Sequence, residues 1–336
     1  MHPASWLNDL QTYAAAIGTP IRHYHLRDLL LPHASVEKIL KPIKLAILPN
    51  AFQMSKGGLK GAVQSLLASN GRTVVYYYAP NLLDASGGLQ DSGVSELVGC
   101  DMVRGNGSRS FVSEFAHDDP ATRAAPALSE AAASFAAPPA ASGPIRCPDF
   151  STLNGRVYEP TVEENPSPGG VAGAVSPWFH LSSAAAEQNQ CTVLARYTTT
   201  AGSSAPGPAA AVCASNADHT AILTASPFPA AALRLIAEAA GVHMYLNTTT
   251  TLPASTPGAY LHDAVSDGIE AAGSGLMVRG GPAAKAAAPR EVSLPSRPHG
   301  WAVTDEKGAT VCRYCHGFSC ALDAGGVAAF VVAVEK

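Results

Sequence analysis

The chain has 336 residues, 47% of them hydrophobic, only 14% charged, and a formal net charge of −4. That length suits one large domain or two smaller ones with a sizeable core. A small negative charge with no Lys/Arg stripe excludes a basic nucleic-acid-binding surface. The low charge and the abundance of Ala, Gly and Pro are consistent with genome composition. No apolar run approaches the ~18 residues of a membrane-spanning helix, and the N-terminus lacks a basic segment followed by an apolar core. Seven cysteines, an odd number, are scattered at 100, 147, 191, 213, 312, 315 and 320. This fits a reducing compartment better than a disulfide framework. The compartment stays unassigned, and the lack of an export signal or membrane span favours an intracellular protein. Asn106-Gly107-Ser108 and Asn247-Thr248-Thr249 are glycosylation-type triplets, which carry little weight without an export signal.

Residues 4–17 read as a helix, with Trp6, Leu7, Leu10, Ala14 and Ile17 on one face and Gly18 and Pro20 ending it. Residues 21–26 are a short strand candidate. Residues 42–50 form a near-continuous apolar run of the kind buried on both faces of a sheet. A helix follows, with Ser55 as its cap, Leu59, Val63, Leu66 and Leu67 on its apolar face, and Asn70-Gly71 as a left-handed stop. Residues 72–80 are a strand rich in β-branched and aromatic residues, and 92–99 are helical. Strand, helix and strand at this spacing imply a right-handed crossover and a parallel sheet. The pattern pauses at a low-complexity Ala/Pro/Ser stretch, 116–144, expected to be disordered or loosely draped because it has too few large apolar residues. Residues 145–215 read as short strands and loops, 192–200 among them. Strand 219–227, helix 229–241 and strand 242–247 then complete the sheet. Beyond 258, short alternating runs separated by Gly, Pro and Asp predict a small antiparallel β domain.

The segments "IRHYHLRDLL", "KLAILPNAFQMS" and "GRTVVYYYAPNLLD…GVSELVG" resemble the middle domain of family 42 glycoside hydrolases and related β-galactosidase-like proteins. The likeness continues through "VLARYTTT" and "ILTASPFPAAALRLIAEAAGVHMYLNTTT". It ends in "VSLPSRPHGWAVTDEKGATV…FSCALDAGGVAAFVV", similar to that family's small C-terminal β domain. The resemblance implies a flavodoxin-like, class I glutamine amidotransferase-like α/β domain serving in trimerisation. It spans nearly the whole chain apart from an insertion at about 104–145. In that family the two catalytic glutamates sit on an upstream barrel for which this sequence has no counterpart. The amidotransferase-like domain would also open with a central strand before its first helix. The expectation is therefore the tail of a longer β-galactosidase-like protein, with strand 21–25 either pairing directly with strand 43–48 or leaving a gap beside it.

Candidate chemistry is sparse. The turn in "YYYAPNLL" carries no Cys or Ser nucleophile, and Cys100 follows Gly99 at a helix end. Glu96, Asp101, Glu114, Asp118, Asp119, Glu163 and Glu164 are the available carboxylates, all read as loop or surface residues. "SKGGLKG" offers Lys56, Gly57, Gly58, Lys60 and Gly61 but matches no phosphate-binding pattern. Cys312-Arg313-Tyr314-Cys315-His316 has the spacing of c-type haem attachment. Cys312, Cys315, His316 and Cys320 could also supply zinc ligands, with His299 a distant further candidate. Incidental cysteines at a hairpin tip are favoured over either. A sugar-binding face would need exposed aromatics, and the only clusters are Trp178 with Phe179 and Tyr76 to Tyr78.

The sequence thus predicts an α/β domain over 1–258 and a small β domain over 259–336. No catalytic residue, cofactor or metal is assigned. The expected role is the non-catalytic C-terminal portion of a β-galactosidase-like glycoside hydrolase, acting in assembly or site shaping. Its partner would be further copies of itself or a catalytic-barrel chain, with no nucleic acid or membrane partner. The alternatives are an independent hydrolase or transferase on an amidotransferase-like sheet, and a carbohydrate-binding or scaffolding module.

Overall fold

A computed structural model describes residues 17, 19, 21–49, 51–110, 112–118, 146–158, 174–188, 191–198, 206–244, 261–264, 274–279, 289–293, 301–305, 307, 309–315, 317–321 and 327–334. All of the predicted helix over 4–17 except Ile17, and most of the low-complexity stretch, lie outside these residues. The chain divides into two compact units, one built mainly from Tyr24–Phe228 and the other mainly from Val242–Lys336.

The first unit opens with a 3₁₀ turn, Leu26–Leu30, and helix α1, His33–Leu40. Sequence reading missed α1, whose apolar face is only Val36 and Leu40 between two prolines. Strand β1, Leu45–Leu48, follows. Residues 21–25, expected as a strand, are irregular and mostly exposed, and β1 pairs with the next strand alone among the described residues. A short candidate segment becomes a strand only where a neighbour supplies its ladder, so propensity was not enough here.

The chain then turns through Lys56–Gly58 into α2, Leu59–Ala62, which widens into a π-helical turn, Val63–Leu67. Leu59, Val63 and Leu67 are buried as their spacing predicts. The expected cap is not made. Gly57 and Gly58, at φ 69° and 79°, form the entry, while the Ser55 hydroxyl bonds elsewhere. The exit is the predicted one, with Asn70 at φ 55° and Gly71 at 75°. Strand β2, Arg72–Tyr77, is buried from its second residue onward. Its Arg72 guanidinium donates to the carbonyls of Leu40, Ile43, Leu66 and Ser69 at 3.0–3.2 Å, satisfying acceptors left open around two helix ends. Helix α3, Ser92–Val98, ends at Gly99 in the left-handed region.

Strands β3 (Met102–Gly105), β4 (Arg109–Ser110) and β5 (Ser113–Asp118) come next, then β6 (Val157–Tyr158), β7 (Ala174–Val175) and β8 (Trp178–Leu181). Helix α4, Ser183–Glu187, is capped by the Ser182 hydroxyl. Strands β9 (Thr192–Tyr197), β10 (Ala209–Ser215) and β11 (His219–Thr224) complete the sheet, and helix α5, Ala230–Ala239, follows Pro229. The seven-stranded order is β1-β2-β11-β10-β9-β5-β6. Only β1, β2 and β11 run parallel; the other neighbours are antiparallel. The sheet is therefore mixed, not the parallel sheet expected. The reason is local at β10–β11, where the Asn216 side chain accepts from the amides of Asp218 and His219 at 2.8 and 2.9 Å. So tight a turn can join only antiparallel strands. Two small pairs, β3–β8 and β4–β7, complete this unit.

The second unit is antiparallel, as predicted. Strands β12 (Leu261–Ala264), β13 (Ser274–Arg279), β15 (Trp301–Asp305), β16 (Thr310–Cys315) and β18 (Val327–Val334) form a sheet ordered β12-β13-β18-β15-β16. Strands β14 (Pro289–Ser293) and β17 (Gly317–Ala321) pair separately. Residues 242–244 are not strand, and 245–247 lie outside the described residues. Among the described residues no helix is long and apolar enough to cross a membrane.

The cysteines overturn the free-thiol reading. Cys100 pairs with Cys191 across 91 positions, and Cys147 with Cys213 across 66; Cys312 is disulfide-bonded as well. The first bridge ties the end of α3 to the start of β9. The second ties the segment before the 3₁₀ turn Ser151–Leu153 to the fully buried Cys213 of β10. Closing loops of this length stabilises by restricting the unfolded chain, by about 2–5 kcal/mol for each bridge. Replacing Cys147 and Cys213 together by Ser should lower the unfolding free energy by that amount in denaturant melts. A change below about 0.5 kcal/mol would mean that the bridge contributes nothing to folding.

Candidate functional site

In a sheet of this kind, ligands usually sit beyond the carboxyl ends of the parallel strands. Here those ends are the segments after Leu48, Tyr77 and Thr224. The turn after β2, Tyr78-Ala79-Pro80-Asn81, is the sharpest feature. Tyr78 and Asn81 hold φ of 68° and 53°, a region that non-glycine residues rarely occupy. Tertiary contacts hold both. The Tyr78 amide donates to the Thr224 carbonyl at 2.8 Å, and its phenol donates to the Pro177 carbonyl. The Asn81 amide donates to the Ala51 carbonyl at 2.8 Å.

Asn81 is fully buried and joins the loops after β1 and β2. Its side-chain oxygen accepts from the Met54 amide at 3.3 Å and the Ser55 hydroxyl at 2.8 Å. The Gln90 side-chain amide donates to the Asn81 carbonyl at 2.9 Å and to Ser55 Oγ at 3.0 Å. Gly93 completes the arrangement. A Cβ there would lie 2.1 Å from the Asn81 carbonyl oxygen, so only glycine admits this approach. Chemically this is a loop clamp. The Ser55 proton goes to an amide oxygen, which cannot accept it as a base would, and Tyr78 occupies the elbow where a nucleophile would sit. Burial raises the Tyr78 phenol pKa, away from nucleophilic use.

The predicted carboxylates do not converge on this turn. Glu96 is paired with Lys60, which also removes that lysine from any phosphate cradle. Asp101 is exposed after α3 and Glu114 is exposed on β5. Asp118 ends β5 opposite Val193, and Asp119, Glu163 and Glu164 lie outside the described residues. Gly57 and Gly58 have open space around them and serve the helix entry.

The aromatic clusters are internal. Trp178 lies against Gly105 across the β3–β8 pair, where a Cβ would meet its ring at 1.9 Å. Its indole donates to the Asn106 carbonyl at 3.1 Å. Arg109 stands 5.0 Å from the Trp178 ring centroid and 5.3 Å from that of Tyr197, a cation–π arrangement. On the other side of the sheet Phe115, Phe150, Tyr158 and Phe228 pack with centroids 4.4–6.3 Å apart. None of these rings offers an exposed face for a sugar. The Tyr158 hydroxyl lies near those of Thr224, Ser113 and Ser226, which eases its ionisation slightly without closing a bond of normal geometry.

In the second unit Cys312 and Cys315 lie on β16 and Cys320 on β17, strands of different sheets, so the cluster is not a hairpin tip. His316 and His299 lie outside the described residues. Among the described residues no three His, Cys, Asp or Glu side chains gather as a metal site.

No protein-family model and no curated protein sequence matches the chain. Among solved structures, a β-galactosidase from Bacillus circulans sp. alkalophilus superposes with a TM-score of 0.51 at 16% identity, covering 98% of this chain and 38% of that one. A catalytic mutant of a GH42 β-galactosidase from G. stearothermophilus gives 0.46 at 11% identity, covering 87% and 32%. A β-galactosidase from Rahnella sp. R3 gives 0.46 at 13%, covering 86% and 32%. The chain therefore shares its fold with a part of a β-galactosidase and spans well under half of that protein's length.

Two measurements test the clamp and the burial of the tyrosines around it. Gly93→Ala should cost about 2–3 kcal/mol of stability, since its methyl would collide with main chain, whereas Gly61→Ala, with nothing within 4 Å, should be neutral or stabilising. Equal effects would show that Gly93 is not packed on Asn81. Burial also raises the phenol pKa of Tyr76, Tyr77 and Tyr197 above the ordinary 10.0, and pushes Tyr158 up to about 12. The unfolded chain then releases protons first. Stability should be whole below pH 10 and fall as pH rises through the folded values, by ~1.4 kcal/mol per pH unit for each buried tyrosine. Denaturant melts at increasing pH, read beside tyrosinate absorbance, check this; flat stability with free-tyrosine titration would contradict it.

Proposed function

We propose that this chain is the non-catalytic C-terminal portion of a β-galactosidase-like glycoside hydrolase, with an assembly or site-shaping role in carbohydrate metabolism. The observation that carries the reading is the superposition that takes in 98% of this chain but 38% of a β-galactosidase. The turn after β2 supports it from the other direction, since Tyr78 and Asn81 fill the elbow and Ser55 has no base. The α/β unit is read as a flavodoxin-like, amidotransferase-like domain, followed by a small β domain. Its partner is read as further copies of itself, as in a trimer, or a chain carrying the catalytic barrel. A carbohydrate-binding module is disfavoured by the burial of Trp178 at 8% and Tyr76 at 0% exposure.

The test is an assay of the purified chain on nitrophenyl galactosides. No turnover above buffer is expected. Turnover abolished by a single substitution such as Glu114→Gln or Asp101→Asn would sink the proposal, because a carboxylate of this chain would then be carrying the chemistry.

A further inference from the structure

We infer that Asn106 is an N-glycosylation site and that the chain matures in an oxidising secretory compartment. Two independent observations carry this, and neither depends on the glycoside-hydrolase reading.

The first is the place of the Asn106-Gly107-Ser108 triplet. It forms the turn between β3 and β4, and all three residues are exposed. Gly107 has a φ of 72° and nothing within 4 Å of where a Cβ would stand. The turn is fixed from beneath, because the Asn106 carbonyl accepts from the Trp178 indole. Among the described residues the Asn106 side-chain amide makes no hydrogen bond, so modifying it breaks none. A bulky, hydrated glycan needs a surface loop of this kind.

The second is the state of the cysteines. Cys100–Cys191 and Cys147–Cys213 link segments far apart in sequence, and Cys312 is disulfide-bonded too. Bridges of this sort form and persist in oxidising compartments, where eukaryotic cells also glycosylate Asn-x-Ser/Thr. The triplet alone arises by chance; with the bridges, it lies in a protein whose compartment supplies the chemistry. In the reaction the Asn106 carboxamide nitrogen forms a bond to the anomeric carbon of a lipid pyrophosphate-linked oligosaccharide. The anomeric C–O bond breaks, the amide loses a proton and the lipid pyrophosphate departs.

The experiment is peptide mapping of the full chain isolated from the cells that make it, under non-reducing conditions, with and without peptide N-glycosidase. The expected result is a glycan at Asn106, together with linked Cys100–Cys191 and Cys147–Cys213 peptides. In secreting eukaryotic cells, Asn106→Gln and Ser108→Ala should each remove the same single mobility step, while Ser108→Thr should retain it. An unmodified Asn106 peptide overturns the site, even if Asn247 is occupied. Free thiols at all four core cysteines overturn the compartment. Retention of the step in Ser108→Ala would show that the modification is not at this triplet.

Discussion

Strand β2 is buried on both faces, and the first unit is arranged around that constraint. Val74, Val75, Tyr76, Tyr77, Tyr78 and Ala79 are each at most 5% exposed. Alternation divides them. Val74, Tyr76 and Tyr78 join a cluster with Leu48, Leu59, Val63, Val94 and Phe179. Tyr77 faces the other way, towards Tyr158 and Phe228. A strand with no solvent side needs a layer over each face. Helices α2 and α3 supply one, and the aromatic cluster carried by β5, β6 and the segment after β11 supplies part of the other.

At the end of β2 the chain leaves the sheet abruptly, through two residues in the left-handed region. Their conformational cost, of order 1–3 kcal/mol each, is offset by the main-chain and side-chain bonds of Asn81 and by the close approach of Gly93. Strain of this kind often marks a catalytic elbow. In this protein the strained positions hold a buried amide and a phenol raised in pKa, and the Asn81 Oδ1 and the Tyr78 hydroxyl tie the loops together.

The disulfides answer a different problem. Three of the described strands between β3 and β10, namely β4, β6 and β7, are only two residues long. Cys147 and Cys191 are tied to Cys213 in the central sheet and to Cys100 at the end of α3. Each tie restricts the unfolded chain and adds to the burial of Phe150, Leu153 and Val193 beside it. The exposed Asn106 turn emerges from the same region, held by the Trp178 indole on the Asn106 carbonyl and by the Ser176 hydroxyl on the Gly107 carbonyl.

The sequence by itself determined the elements whose signal is local. The helix over 59–67 follows from apolar spacing, its exit from Asn70-Gly71, strand β2 from its β-branched and aromatic run, α5 from Pro229 and a helical face, and the antiparallel second unit from short alternating runs. It also indicated the lack of a nucleophile after β2, since the residue types there can be read directly. Tertiary structure alone decided what depends on partners distant along the chain. Whether 21–25 becomes a strand rests on a neighbour, not on its own residues. The antiparallel β10–β11 pair follows from the turn that the Asn216 side chain closes, which is too short for a crossover. The burial of Trp178 rests on a glycine 73 positions earlier across a strand pair. The pairing of Cys100 with Cys191 and of Cys147 with Cys213 could not be deduced from spacing, because seven cysteines admit many connectivities and only the folded sheet brings the correct sulfurs together.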